Sequence, residues 1–179
     1  AKHRAGTDDS RNRLLLGTLA ETLKRYDEAL KWYAGVTGEQ SDTARLRSAN
    51  VRYEQGHKGE AYKDLQALQT DPRVDGNVQR DAYLLEGELR RKGKDDKGEI
   101  AVYDRGIAAL QDEPGILYAR ALAWERMDRI DKAEADLRSL MDRRPKMAEA
   151  IERVARERME PDRVGPTGDM ASDELKTGE

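Results

Sequence analysis

In the stretch ILYARALAWERMDRIDKAEADL, residues 116–137, a small residue recurs at Ala121 and at Ala133, each followed three or four places on by a larger apolar one, Trp124 and Leu137. A lone amphipathic helix has no use for that arrangement. Two helices packed against each other do, because their axes approach closely only where side chains are small and larger neighbours fill the flanking grooves. The run RMDRID (126–131) falls between the two halves and reads as the turn that reverses the chain.

The pattern recurs. Ala133 is followed by Leu137, Leu140 and Pro145 and preceded by Leu117, Ala121 and Trp124. Thirty-four residues earlier, Glu99, Tyr103 and Gly106 take the places of Ala133, Leu137 and Leu140, and Tyr83 and Gly87 those of Leu117 and Ala121. A further step of thirty-eight reaches Ala61, with Leu65 and Leu68 after it and Ala49 before it. One of thirty-two reaches Ala29, with Tyr33 and Val36 after it and Gly17 before it. Self-similarity at such a period marks stacked helical hairpins. Gly costs about 1 kcal/mol against Ala inside a helix, so Gly17 and Gly87 mark close contacts. The turns KRYD (24–27), QGHK (55–58) and KGKDD (92–96) separate the paired helices, and Gly56 and Gly93 suit the left-handed position that ends a helix. The run TDPRVDGNVQRD (70–81) absorbs the longer step and reads as an extended surface loop.

The motifs LLLGTLAETLKRYDEALKWYAGV (14–36), ANVRYEQGHKGEAYKDLQAL (49–68), YLLEGELRRKGKDDKGEIAVYDRGI (83–107) and LYARALAWERMDRIDKAEADLRSLMDRRP (117–145) resemble the tetratricopeptide repeat (TPR). The departures are Glu99 in place of a small residue, Arg52 and Arg90 where a large aromatic is common, and Arg45 for a Trp or other large apolar residue. The resemblance implies an all-α, right-handed TPR-type α-solenoid of antiparallel helix pairs. The pairs are expected at 11–40, 42–73, 80–112 and 114–145, after a flexible N-terminus (1–10). Residues 146–160 carry Met147, Ala150, Ile151, Val154 and Ala155 on one face and are expected to form a capping helix; 161–179 reads as a disordered or loosely packed tail.

Composition agrees with helices. Charged residues are 39% and hydrophobic ones 37% of the chain, yet the apolar residues keep helical spacing, which argues against disorder across 11–158. Acidic and basic residues are interleaved around a net charge of −3, so no basic stripe points to nucleic acid. No apolar run is long enough to span a membrane. Without Cys there is no thiol nucleophile and no thiolate metal site. Two histidines, His3 and His57, lie too far apart for a zinc-binding pair on one helix. GKDDKGEI (93–100) lacks the Lys-Ser/Thr of a phosphate loop, and DPRVDGNVQRDA (71–82) puts Arg73 and Ala82 at the third and twelfth places of a calcium loop. No catalytic residue, metal site or cofactor is expected.

In the family resembled, first helices line a concave surface that binds peptides. By register this implies a groove of Leu14, Thr18, Glu21 and Thr22, then Leu46, Asn50, Tyr53 and Glu54, then Leu84, Glu88, Arg91 and Lys92, then Tyr118, Leu122, Glu125 and Arg126. The leucines and Tyr118 would form an apolar floor, with Tyr53 an aromatic anchor. The charge is acidic in the first two repeats and mixed in the last two, so the expected partner is a polypeptide with apolar anchors and a basic segment. Leu14 and Thr18 stand where chaperone-tail clamps of the family carry Lys and Asn, which argues against that mode. The wording of 117–138, together with AVYDRGI (101–107), is also similar to repeats of Gram-negative envelope lipoproteins, among them an adaptor that delivers substrates to a carboxy-terminal processing protease. That likeness implies a non-catalytic scaffold or adaptor in the periplasm or at the outer membrane; without it the expected compartment is the cytoplasm. The alternatives are a regulatory repeat region cut from a larger enzyme and an array of self-assembling copies.

Overall fold

The computed structural model describes residues 2–111 and 113–142. The described chain is all helix and turn. Its helices are α1 (Lys2–Thr22), α2 (Tyr26–Ala34), α3 (Ser41–Glu54), α4 (Lys58–Thr70), α5 (Gly76–Lys92), α6 (Asp96–Ala109) and α7 (Pro114–Arg126), and residues 130–142 are helical and make α8. They pair as α1/α2, α3/α4, α5/α6 and α7/α8. The part up to Leu140 is one compact unit, and Met141–Glu179 is a second, of which only 141 and 142 are described. The expected capping helix (146–160) and tail (161–179) lie outside the described residues. α1 is helical from Lys2, inside the stretch read as a flexible N-terminus.

The small residues meet the large ones as the spacing requires, with a refinement. A Cβ on Gly17 would lie 2.4 Å from the Tyr33 ring, and one on Gly87 would lie 2.3 Å from the Tyr103 ring. Where the second helix carries a tyrosine, the first helix carries glycine. In the second pair that place is Leu65, and its partner Ala49 shares its core cluster. Only a missing methyl group lets a six-membered ring lie against the backbone of the facing helix.

All four turns have one geometry. Lys24, Gly56, Lys94 and Asp128 sit at φ 57°, 90°, 59° and 57°. The following N–H of Arg25, His57, Asp95 and Arg129 donates to the carbonyl five residues back, at 2.8 to 3.0 Å. The N–H of each left-handed residue donates to the carbonyl three back, at 2.9 to 3.0 Å. This double closure is the Schellman motif. Gly56 fills the left-handed place as expected, but Gly93 does not. Its φ is −77° and Lys94 takes the strained position instead, because the register of the helix end, and not the residue type, sets which residue turns.

The segment 70–81 is a helix start and not an extended loop. Only 71–75 lie between helices. Asp75 accepts a hydrogen bond from the Asn77 N–H at 2.8 Å and caps α5, which begins at Gly76. Val74 is buried in the core of the second pair. The Asp-Gly-Asn wording that resembled a loop is an N-cap followed by the first turn of a helix.

Each hairpin core is closed by the next first helix. Val51 joins Ala20, Ala29, Tyr33 and Val36; Leu89 joins Ala49, Ala61, Leu65 and Leu68; Ala123 joins Tyr83, Tyr103 and Ile107. The arginines that break the family pattern are absorbed as ion pairs. Arg52 binds Asp64, and Arg90 binds Glu86 and Asp95 while stacking 4.2 Å from the Tyr62 ring centroid. Glu86, fully buried, also accepts from Gln69 at 2.8 Å and pairs with Arg105 at 3.2 Å, tying α4, α5 and α6 together.

Candidate functional site

First helices crowd together while second helices spread apart. α3 packs on both α1 and α5, and α5 packs on α7, whereas no comparable contact joins α2 to α4 or α4 to α6. The first helices therefore form the inner side of the curve, where the register placed the candidate groove. Four rows of equivalent residues run across it.

The row Leu14, Leu46, Leu84, Tyr118 is not uniform. The three leucines are half-buried and pack on the cores beneath them, whereas Tyr118 is 53% exposed. In the next row Thr18 bonds its own helix, donating to the Leu14 carbonyl at 2.9 Å, while Leu122 is exposed one turn beyond Tyr118. The accessible apolar surface of the inner face thus gathers on α7. Tyr53 is not an anchor for a ligand. It is buried, and its hydroxyl donates to the Leu89 carbonyl at 2.8 Å, bolting α3 to α5.

The acidic character expected of the first two repeats is consumed internally. The Glu21 carboxylate accepts from the Tyr33 hydroxyl at 2.6 Å and from the Asn50 amide at 2.7 Å, with Arg47 at 3.4 Å. Burial and the bond to Glu21 push the Tyr33 phenol up to about 12. Glu54 pairs with Lys92 at 2.7 Å, which raises the Lys92 ammonium above its ordinary range. Asn50, Glu54 and Lys92 are thus struts between first helices. Near α7 the charges differ. Glu88, Arg91 and Glu125 are exposed and make no ion pair among the described residues. Arg126 reaches back at 2.5 Å to Glu99, the carboxylate that stands where the other second helices carry Ala. Glu99 is buried with one oxygen lacking a hydrogen-bond partner among the described residues, and its charge, after burial itself, helps raise the Tyr103 phenol.

On the opposite side a cleft of about 370 Å³ opens between α2 and α4 over α3, lined by Leu30, Val36, Arg45, Arg52 and Asp64. Sequence reading does not find it, because it arises from the splaying of second helices and not from any motif. No described helix is long and apolar enough to cross a membrane.

No model of a protein family matches the chain. A TPR repeat-containing protein of Pseudomonas aeruginosa is 30% identical over 138 residues, which are 76% of this chain and 23% of that protein. The chain thus spans about a quarter of the length of the curated relative it matches. The crystal structure of MamA superposes with a TM-score of 0.53 at 18% identity, over 82% of this chain and 84% of that one. That of BtubC (BKLC) from P. vanneervenii superposes with a TM-score of 0.55 at 17% identity, over 95% of this chain and 71% of that one. The fold is a TPR-type α-solenoid.

Proposed function

We propose that this chain is a non-catalytic scaffold that holds a partner polypeptide on the inner face of its first helices, with α7 as the main grip. The observation that carries the reading is the exposure of Tyr118 and Leu122, one helical turn apart, on a face whose other apolar residues are engaged in the core. An aromatic beside an aliphatic side chain is the composition of a binding hot spot. Glu88, Arg91 and Glu125 stand exposed beside them, a mixed set in which the two carboxylates favour a partner with a basic residue near its apolar anchor. The compensated charges of the first two repeats favour a structural role there. A narrower reading makes the chain an adaptor that delivers substrates to a carboxy-terminal processing protease of a Gram-negative envelope. Its support is the wording of 101–107 and 117–138, and under it the chain works in the periplasm or at the outer membrane.

The test is capture of partners from a Gram-negative envelope fraction by the wild-type chain and by Tyr118→Ala and Leu122→Ala. Both side chains are exposed, so the helical content should hold. Loss of a hot-spot side chain costs about 2 kcal/mol, roughly a thirtyfold fall in affinity. Variants that fold and capture the same proteins at the same yield would show that α7 is not the grip. For the narrower reading, a captured protein should be cut faster by such a protease when the chain is added, and an unchanged rate counts against the adaptor role.

A further inference from the structure

The cleft between α2 and α4 opens away from the inner face. All of its lining falls within residues 30–67, so two described hairpins set its walls and neither end of the chain is needed to shape it. Splaying of the second helices opens the space, and two departures from the repeat pattern give it its chemistry. Arg45 stands where the later first helices carry Tyr83 and Leu117, which are buried in their own core. Arg52 stands where the fourth first helix carries Trp124. Both arginines line the cleft, their side chains 46% and 35% exposed. A repeat that kept large apolar residues at these two places would offer no charge there.

Beside the two cations the lining includes Leu30 and Val36 from the first hairpin and Ala67 from α4. Its one carboxylate, Asp64, is already held by Arg52. Arg45 gives one nitrogen to Asp42 at 2.8 Å, and Asp42 is outside the lining. A guanidinium has five N–H donors, so among the described residues both arginines keep donors unspent. The cleft therefore offers donors and aliphatic surface, while its own acidic acceptor is spent. Its complement is an aliphatic group next to a carboxylate, which a guanidinium grips through two parallel bonds. Size selects the source of that chemistry. A volume of about 370 Å³ is near the floor of the range for ligand cavities, about 300–1,000 Å³. It has room for a side chain or two and not for a long acyl chain. We propose that this cleft is a second peptide site, which takes a segment where an acidic residue adjoins an aliphatic one. The inner face favours a basic residue beside the apolar anchor, so the two sites select segments of opposite charge.

The test is fluorescence anisotropy of a short labelled peptide of alternating leucine and glutamate, titrated with the full chain. It should bind at least about tenfold more tightly than the same peptide with glutamine for glutamate. Arg45→Gln, at an exposed site, should weaken it by about the same factor. Ala67→Trp, at an exposed small residue on the wall, should fill the cleft and abolish binding while the helical content holds. Asp64→Asn removes the competing carboxylate and releases Arg52, so affinity should rise about threefold or more; structural damage would lower it. Tyr118→Ala should leave this peptide's affinity unchanged, which separates the cleft from the inner face. The proposal is overturned by a full chain that does not bind the peptide, or that binds the glutamine version equally well. Binding that Tyr118→Ala removes and Ala67→Trp spares overturns it too, since the peptide then sits on the inner face. So does octanoate that competes as strongly as the peptide, which would make the cleft a site for small acids.

Discussion

Replacing Gly87 by alanine tests the packing rule that organises this fold. An isolated helix would gain from the change, by about 1 kcal/mol. Here the new Cβ would lie 2.3 Å from Tyr103 Cε1, 2.4 Å from Cζ and 2.6 Å from Oη. Ordinary contacts between carbons are about 3.5 to 4.0 Å, so the ring must retreat by more than an ångström. It cannot do so freely, because Tyr103 is buried in a cluster with Tyr83, Ile100, Ile107 and Ile116. Overpacking of a filled core costs about 1–3 kcal/mol, and a clash this deep with a rigid ring belongs at the upper end. After the helix gain is subtracted, Gly87→Ala should destabilise by roughly 1–2 kcal/mol, a fall in Tm of about 2–8 °C for a chain of this size. Tyr103→Leu alone should also destabilise, since it leaves a void over Gly87. The double variant rebuilds the pair found at Ala49 and Leu65, and it should be more stable than the two single losses summed by about 1 kcal/mol or more. Urea unfolding followed by far-ultraviolet circular dichroism measures all four corners of the cycle. A single Gly87→Ala variant stabilised by the full helix-propensity gain, with an additive double, would refute the claim that glycine is there to admit the ring.

Two other expectations concern the turns and the alkaline limb of stability. Lys94→Gly removes a side chain from the left-handed region at φ 59° and should stabilise by about 1 kcal/mol; thermal unfolding that shows a loss would mean the Lys94 side chain has a role of its own. The raised phenol of Tyr33 binds its proton more tightly in the folded state than in the unfolded one. Its contribution is therefore complete below about pH 10 and is lost as pH rises toward about 12. Tyr33→Phe should be less stable than wild type by about 1.5 kcal/mol at pH 8, because a bond to a carboxylate is lost, and the gap should shrink through that alkaline window. A constant gap in denaturant titrations from neutral to alkaline pH contradicts this account.

The periodic part of the fold was legible because stacking demands it. Small residues at Gly17, Ala49, Gly87 and Ala121 mark the contact between paired helices, and the structure adds only that glycine answers tyrosine. Local chemistry was less legible where one residue type serves two purposes. The Asp-Gly-Asn run at 75–77 could end an ordered segment or cap a new one, and capping prevails because Val74 anchors the approach to α5. Gly93 sits next to the position that needed glycine, and helix register decides the matter. Register alone misplaced Tyr53, since residues on the inner side of a first helix also meet the neighbouring first helix, and no single-repeat pattern separates the two faces. The pairing of Glu21 with Asn50 and of Glu54 with Lys92 spans repeats twenty-nine and thirty-eight residues apart. Nothing in either local motif announces it.

From α1 to α7 the substantial contacts join helices that are neighbours or next neighbours along the chain. Such an array behaves as links joined in series. A pull transmitted along the described hairpins passes undiminished through every junction between them, and the weakest one yields while the others hold their shape. The fully buried Glu86, gripped from three helices, makes the middle of the array its stiffest segment. Tension across the described hairpins would therefore part other junctions before those that Glu86 ties around α5.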